Sequence, residues 1–93
     1  MNYQDQVVVL TGASGGIGSA MAKKFTDLGA KVALLDITVD RVQALADKLG
    51  LGSDRAFCAA VDVSNEESVK ATVDAIVKHF GRIDVLVNAA GIP

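Results

Sequence analysis

The sequence predicts an α/β fold in which four buried parallel strands alternate with three helices. Two observations lead to this prediction. Continuous apolar runs rich in valine, leucine and alanine recur along the chain, as in strands that are covered on both faces. Between these runs lie segments with apolar residues at helical spacing, each followed by a glycine. Strands that alternate with helices in this way form a parallel sheet connected by right-handed crossovers.

The first half of the chain predicts two strands and two helices. The first strand is expected over 7–10, and a helix is expected after the glycine cluster that follows. That helix ends at Gly29, where a C-cap glycine belongs. The second strand is expected over 32–35. Thr38 is expected to cap the second helix, and Gly50 to end it.

The second half repeats the alternation, beginning with a strand over 56–61. Ser64 and Glu67 have the spacing of a capping box, which predicts the start of the third helix. Gly81 is expected to end this helix, and the fourth strand is expected over 83–87. The apolar stripe of the third helix consists of Val69, Val73, Ile76, Val77 and Phe80.

Three further residues are assigned structural roles. Asp84 is expected either to pair with Arg82 or to cap the start of the fourth strand. His79 lies in the last turn of the third helix, where the helix dipole favours a cation. Cys58 lies in the middle of the third strand and is expected to be a small buried hydrophobic residue.

Composition excludes several classes of protein. The 93 residues include 9 Lys and Arg against 11 Asp and Glu, and the resulting net charge of −2 argues against nucleic-acid binding. A hydrophobic fraction of 51% excludes a disordered chain. No apolar run reaches the roughly 18–20 residues of a membrane span. With one cysteine and no visible secretory signal, the expected location is the cytoplasm.

The turn after the first strand has the composition of a phosphate-binding loop. Residues 11–18 read Thr-Gly-Ala-Ser-Gly-Gly-Ile-Gly and lead into the first helix. The N-terminus of a helix leaves N–H groups unpaired and bears partial positive charge, which suits a pyrophosphate. The glycines alone would also fit a turn that merely needs flexible residues, so their context decides the interpretation.

The position of Asp36 favours the interpretation of the glycine loop as a dinucleotide-binding loop. It follows the second strand, 18 residues after Gly18, as expected of a carboxylate that accepts hydrogen bonds from both hydroxyls of an adenosine ribose. The alternatives are an acid in solvent or a cap for the next helix. A 2′-phosphate beside Asp36 would bring like charges together. Because residues 12–18 contain no Lys or Arg and residue 37 is Ile, the sequence favours NAD over NADP.

Three segments together resemble the short-chain dehydrogenase/reductase family. Residues 11–18 are similar to its TGxxxGxG cofactor loop, Asp62-Val63 to its segment after the third strand, and Asn-Ala-Ala-Gly over 88–91 to its NNAG motif. Alanine at position 89 is a common variant of that motif. The resemblance implies the N-terminal half of a Rossmann-like doubly wound fold. Its four-stranded parallel sheet would have the order 3-2-1-4, with two helices on one face and one on the other.

The resemblance also implies a set of cofactor-binding residues. Those that would shape and line the pyrophosphate loop are Gly12, Ser14, Gly15, Gly16, Ile17 and Gly18. Asp36 would hold the ribose on the adenine side, and Ile37 would lie beside the adenine.

The remaining implied residues follow the third and fourth strands. Asp62 would reach the adenine amino group, and Val63 would pack on the ring. Asn88 would stabilise the centre of the sheet, while Ala90 and Gly91 would approach the cofactor. All of these positions lie at the carboxyl ends of strands, where ligands of doubly wound sheets bind.

The family's catalytic serine and Tyr-x-x-x-Lys pair would follow the fourth strand. Tyr3 is the one tyrosine and residue 7 is Val, so these 93 residues contain no such pair. We therefore expect a fragment of a longer NAD-dependent oxidoreductase that is inactive alone and binds a dinucleotide weakly. The alternatives are a self-associating structural module with no bound cofactor and a dinucleotide sensor that needs no catalytic half.

The predicted strand order makes the fourth strand an edge of the sheet. An edge strand presents unpaired N–H and C=O groups, and the sheet face beside it would lack a covering helix. We therefore expect a homodimer or larger oligomer, formed through the fourth strand or through the uncovered face.

Overall fold

Four strands form one parallel sheet in this computed structural model, which describes residues 3–89. The elements in chain order are β1 (Val7–Thr11), α1 (Gly16–Asp27), β2 (Lys31–Asp36), α2 (Val39–Lys48), β3 (Ala56–Ala60), α3 (Glu66–Phe80) and β4 (Val85–Asn88). The sheet order β3-β2-β1-β4, with every neighbouring pair parallel, confirms the predicted topology. None of the helices in this part of the chain is long and apolar enough to cross a membrane.

Both faces of the sheet contribute buried side chains, because alternate strand side chains point to opposite sides. One face packs against α1 and α2, and its buried residues include Val8, Leu10, Val32, Leu34, Ala22, Val42 and Ala46. The other face packs against α3 and includes Val7, Val9, Ala33, Leu35 and Ile76. The distribution of two helices on one face and one on the other is as predicted.

The start of α3 differs from the prediction by one residue. Asn65 is the N-cap, and its side-chain oxygen accepts a hydrogen bond from the Ser68 N–H at 3.1 Å. The Ser64 hydroxyl instead donates to Asp62 at 2.6 Å. The predicted capping box of Ser64 and Glu67 is therefore wrong, because the side-chain oxygen of Asn65, and not that of Ser64, accepts an N–H of the first turn.

The start of β4 also differs, since regular pairing begins at Val85 rather than at position 83. The Asp84 carboxylate accepts a hydrogen bond from the Val7 N–H at 2.8 Å and another from Arg82 at 2.6 Å. Both roles considered for Asp84 are thus present. The Asp84 N–H also donates to the Val7 carbonyl at 2.9 Å, so Asp84 is bonded to β1 through backbone and side chain just before regular pairing begins.

The apolar stripe of α3 is only partly buried. Ile76 is fully buried, whereas Val69, Val73 and Val77 are between 36% and 43% exposed. Leu86 of β4 is 68% exposed and shares a hollow with Val69 and Val73. These four residues form what we call the β4-side surface. It flanks a strand that has a single neighbour within the described sheet.

His79 and Cys58 both lie in the packing around β3. The His79 Nε2 atom lies 2.7 Å from the Ser53 carbonyl oxygen, which can only accept, so this nitrogen is the donor. The His79 ring also contacts Phe57 and Phe80. Cys58 is half-buried, so the prediction of a buried residue is only partly met, and burial raises the pKa of its thiol.

Candidate functional site

An open cavity of about 320 Å³ lies at the carboxyl edge of the sheet. The chain turns back past β1 after β3 to form β4, so this edge contains the switch point at which doubly wound folds bind ligands. The residues that line the cavity are Thr11, Gly12, Ser14, Gly15, Asp36, Ile37, Arg41, Val61, Val63 and Ala89. Six of them were predicted as site residues from the sequence.

Gly12 and Gly18 determine the shape of the loop between β1 and α1. Gly12 has a φ of 66°, in the left-handed region that favours glycine, and its carbonyl accepts the Gly15 N–H at 3.2 Å. A Cβ atom on Gly18 would lie 2.8 Å from the Cα of Ala13, closer than packed atoms approach. Glycine at position 18 therefore allows α1 to pack directly against the end of β1.

The N-terminus of α1 has no capping side chain. Gly15 is its N-cap, the first turn contains no acidic residue, and Gly16, Ile17 and Gly18 form that turn. The first-turn N–H groups are thus not satisfied by a cap, and their partial positive charge is not offset. Since Gly15 also lines the cavity, the residues present fit the pyrophosphate of a dinucleotide.

Asp36 is held in the cavity wall by three hydrogen bonds. Its Oδ2 atom accepts from the Ser14 hydroxyl and from the Ser14 N–H at 3.2 Å, and its Oδ1 atom accepts from the Ile37 N–H at 2.7 Å. Partial burial raises the pKa of Asp36, but these bonds and the charge of Arg41 together outweigh burial and hold the pKa below its ordinary value. The cavity therefore contains a carboxylate that is ionised at neutral pH.

The residues predicted to contact adenine occupy two adjoining hollows. Ile37 and Val63, which are 81% and 56% exposed, present apolar surface to the cavity. Asp62 lies in a second hollow that shares Ile37 and Val61 with the first. Hydrogen bonds from the Ser64 hydroxyl and the Ser64 N–H lower the pKa of Asp62, so it too is ionised at neutral pH.

Asn88 connects β4 to β1 and does not line the cavity. Its Oδ1 atom accepts a hydrogen bond from the Thr11 hydroxyl at 2.7 Å. The Ala89 N–H donates to the Thr11 carbonyl at 3.1 Å, which places Ala89 in the cavity wall. The predicted residues Ala90 and Gly91 lie outside the described residues.

Four residues of the cavity were not assigned from the sequence. Thr11, Val61 and Ala89 directly adjoin predicted residues. Arg41 is the most important of the four, because the absence of positive charge was predicted from residues 12–18 and residue 37 alone. The sequence pattern could have identified Arg41, because it lies in the first turn of the predicted second helix, four residues after Ile37, where the chain leaves the carboxyl edge of the sheet. The expectation that positive charge is missing locally is therefore corrected.

Comparison with known proteins gives consistent matches along the chain. The sequence model of a family described as short chain dehydrogenase matches residues 6–93. The chain is 44% identical over 89 residues to D-threitol dehydrogenase of Mycolicibacterium smegmatis, covering 94% of this chain and 34% of that protein. It is 40% identical over 91 residues to the NAD-dependent glycerol dehydrogenase of Listeria innocua, covering 98% of this chain and 35% of that protein.

Solved structures show the same likeness. The crystal structure of 3-ketoacyl-(acyl-carrier-protein) reductase from Brucella melitensis, complexed with NADH, matches with a TM-score of 0.83 and 36% identity. That match covers 91% of this chain and 34% of the reductase chain. The chain thus spans about a third of the length of the relatives it matches.

Proposed function

The chain belongs to the short-chain dehydrogenase family, and we propose that it forms the cofactor-binding part of an oxidoreductase that prefers NAD to NADP. Members of this family bind nicotinamide dinucleotides. When bound, such a cofactor exchanges a hydride with an alcohol or carbonyl substrate. The observation that supports the proposal best is the placement of an ionised Asp36 in one cavity with the glycine loop.

The proposed roles follow the chemistry of the cavity wall. The loop 12–15 and the first turn of α1 would bind the pyrophosphate through N–H groups. Ile37 and Val63 would flank the adenine with apolar surface, and Asp62 would accept a hydrogen bond from its amino group. None of these residues would donate or accept a proton in the reaction, so catalysis would require residues beyond this set.

Asp36 has limited capacity for further hydrogen bonds. A carboxylate has about four acceptor positions, and Ser14 and Ile37 occupy three of them. A ribose with two hydroxyl donors therefore needs one position to be vacated. We propose that the Ser14 hydroxyl, which can rotate about its side-chain bond, gives up its place, while the backbone N–H of Ser14 stays bonded.

Calorimetric titration of the purified chain with NAD and NADP tests this function. NAD is expected to bind about tenfold more tightly, because a 2′-phosphate beside Asp36 is repelled. The preference for NAD should be lost in Asp36→Ala. Asp40→Ala is the matched control, since it removes an acid from the adjacent turn of α2 that does not line the cavity. If neither dinucleotide binds a chain that is folded by circular dichroism, the proposal is wrong.

We also propose that the chain self-associates through β4 and the β4-side surface. The support for this is the exposure of Leu86 and of the three valines of α3 beside an edge strand. The same surface supports the alternative function, a self-associating module without a cofactor, and the nucleotide titration separates the two. The cytoplasmic location expected from the sequence stays a prediction.

A further inference from the structure

We infer that Ser68 is a positioning residue for the adenine of a bound dinucleotide, because its hydroxyl fixes the backbone of Asp62. The inference rests on the proposed function, in which Asp62 accepts a hydrogen bond from the adenine amino group. It extends the site from the strand ends onto α3, to a residue that the sequence assigned no role.

The end of β3 is attached to α3 through Asp62. The Val61 N–H donates to the Asp36 carbonyl at 2.8 Å, one step beyond the registered pair of Asp36 with Ala60. The next N–H along the chain, that of Asp62, donates to the Ser68 hydroxyl oxygen at 3.1 Å. The hydroxyl of a helix residue therefore determines where the backbone lies as it leaves the sheet.

Ser68 is itself held in place by the first turn of α3. Its N–H donates to the Asn65 side-chain oxygen at 3.1 Å, and its carbonyl accepts the Thr72 hydroxyl at 2.8 Å. Thr72 is buried, and Ser68 is half-buried. A side chain on a helix positions its partners more precisely than one on a loop. Ser68 is therefore a fixed point to which the backbone of Asp62 is bonded.

The carboxylate of Asp62 has one oxygen committed and one available. Oδ1 accepts from the Ser64 N–H at 3.0 Å and from the Ser64 hydroxyl at 2.6 Å. Within residues 3–89, Oδ2 accepts no hydrogen bond. Asp62 and Ser68 line the same hollow, together with Ile37, which would lie beside the adenine. An amino donor in this hollow would therefore bond to Oδ2.

Ser68 differs from the other partners of Asp62 in its place along the chain. The bonds from Ser64 and from the Asn65 N–H, which donates to the Asp62 carbonyl at 3.0 Å, all lie within one turn of the chain. They orient the carboxylate relative to that turn. Ser68 lies beyond the turn and fixes it relative to α3. Because a hydrogen bond weakens as its distance and angle depart from the best values, a loosened turn weakens the contact with the amino group.

The test compares 5′-AMP with purine riboside 5′-monophosphate, because the two ligands differ only in the 6-amino group. Both are titrated by NMR chemical shifts into the whole chain and into Ser68→Ala, Asp62→Ala and the double variant. Ser68→Thr and Ser68→Val form a pair of equal shape in which only threonine keeps the hydroxyl. Ser53→Ala is the matched control, because it removes an exposed hydroxyl before the amino end of β3 and does not line the hollow.

The unaltered chain is expected to bind AMP about tenfold more tightly than the analogue, because the analogue loses a hydrogen bond to a charged acceptor. Asp62→Ala should abolish this preference. Ser68→Ala and Ser68→Val should lower it to about threefold, since the bonds within the turn remain. Ser68→Thr and Ser53→Ala should leave it unchanged. Adding Ser68→Ala to Asp62→Ala should cause no further loss of AMP affinity, because Ser68 acts through Asp62.

Three results would overturn the inference, and they are distinguishable. If Asp62→Ala abolishes the preference, but the folded Ser68 variants without a hydroxyl keep it or weaken both ligands equally, the inference alone is wrong. If AMP binds and Asp62→Ala keeps the preference, Asp62 does not contact the amino group and Ser68 positions nothing. If neither AMP nor NAD binds the unaltered chain that is folded by circular dichroism, the proposed function fails and the inference fails with it.

Discussion

Asp36 illustrates how one side chain can serve the fold and the site together. Two of its three hydrogen bonds, both from Ser14, connect the loop after β1 to the end of β2, so they fix the relative position of two strand ends. The same bonds keep the carboxylate ionised in the cavity. Replacing Asp36 should therefore alter both nucleotide binding and the stability of the folded chain.

The stability of the chain should depend on pH through Asp36. Because folding lowers the pKa of this carboxyl, its ionised form stabilises the fold. That contribution is fully present above the ordinary aspartate pKa and is lost as the pH falls through the lowered value. We expect the free energy of unfolding to fall more steeply for the unaltered chain than for Asp36→Asn between about pH 5 and about pH 2.

Urea unfolding followed by circular dichroism at a series of pH values measures this difference. The other aspartates with a lowered pKa, Asp62 and Asp84, are present in both chains, so the comparison isolates Asp36. Parallel pH dependences in the two chains would show that the bonds from Ser14 and Ile37 do not stabilise the ionised form.

Among the secondary-structure elements, the three helix N-termini differ in whether acidic residues offset their partial positive charge. The first turn of α3 has two acidic residues behind a capping asparagine, and α2 has Asp40. Both helices thereby offset their own positive ends. The N-terminus of α1 has neither a capping side chain nor an acid. Its partial positive charge faces the cavity, where a bound anion would offset it.

The cap of α3 can be tested by substitution. Asn65→Ala should lower the free energy of unfolding by about 1 kcal/mol, because the Ser68 N–H loses its acceptor. Ser64→Ala should cost less than about 0.5 kcal/mol, since this serine bonds only to an exposed carboxylate. Chemical denaturation of both variants measures the costs. If Ser64→Ala lowers the free energy of unfolding more than Asn65→Ala does, the N-cap is Ser64 and not Asn65.

The order and type of the elements were predictable because the signals for them are local. Apolar runs, helical spacing and the glycines at 29, 50 and 81 each act within a few residues. The starts of β4 and α3 were not, because each depends on which partner a side chain finds. Asp84 bonds to Val7, far away in sequence, and Ser64 bonds to Asp62 instead of to the helix.

The candidate site also has residues that local patterns predict and residues that depend on tertiary packing. The glycine loop and Asp36 were predictable because strand ends of a parallel sheet meet at one edge. Arg41 was not, because only the packing of α2 against the sheet brings its first turn to the cavity.

For the molecule as a whole, the β4-side surface is the feature with the clearest consequence for assembly. Sedimentation of the purified chain is expected to show a dimer or larger oligomer that dissociates on dilution. Leu86→Lys should shift the chain toward the monomer, because a charged residue on an edge strand opposes pairing. Val39→Lys is the control, since Val39 is a 42% exposed residue of α2. A monomer at the highest attainable concentration would contradict the proposal.

The pairing of β1 with β4 also has a consequence for how the chain reaches this structure. The contacts at its two ends, Val7 with Asp84 and Thr11 with Asn88, each span 77 residues. The other strand pairs join neighbours that one helix separates. Closing a long loop costs conformational entropy before its contacts form, so β4 should join the sheet after β1, β2 and β3. Because β4 brings Ala89 into the cavity wall, a nucleotide would bind preferentially to chains in which β4 has joined the sheet. Nucleotide binding would therefore measure the fraction of chains that have completed the sheet.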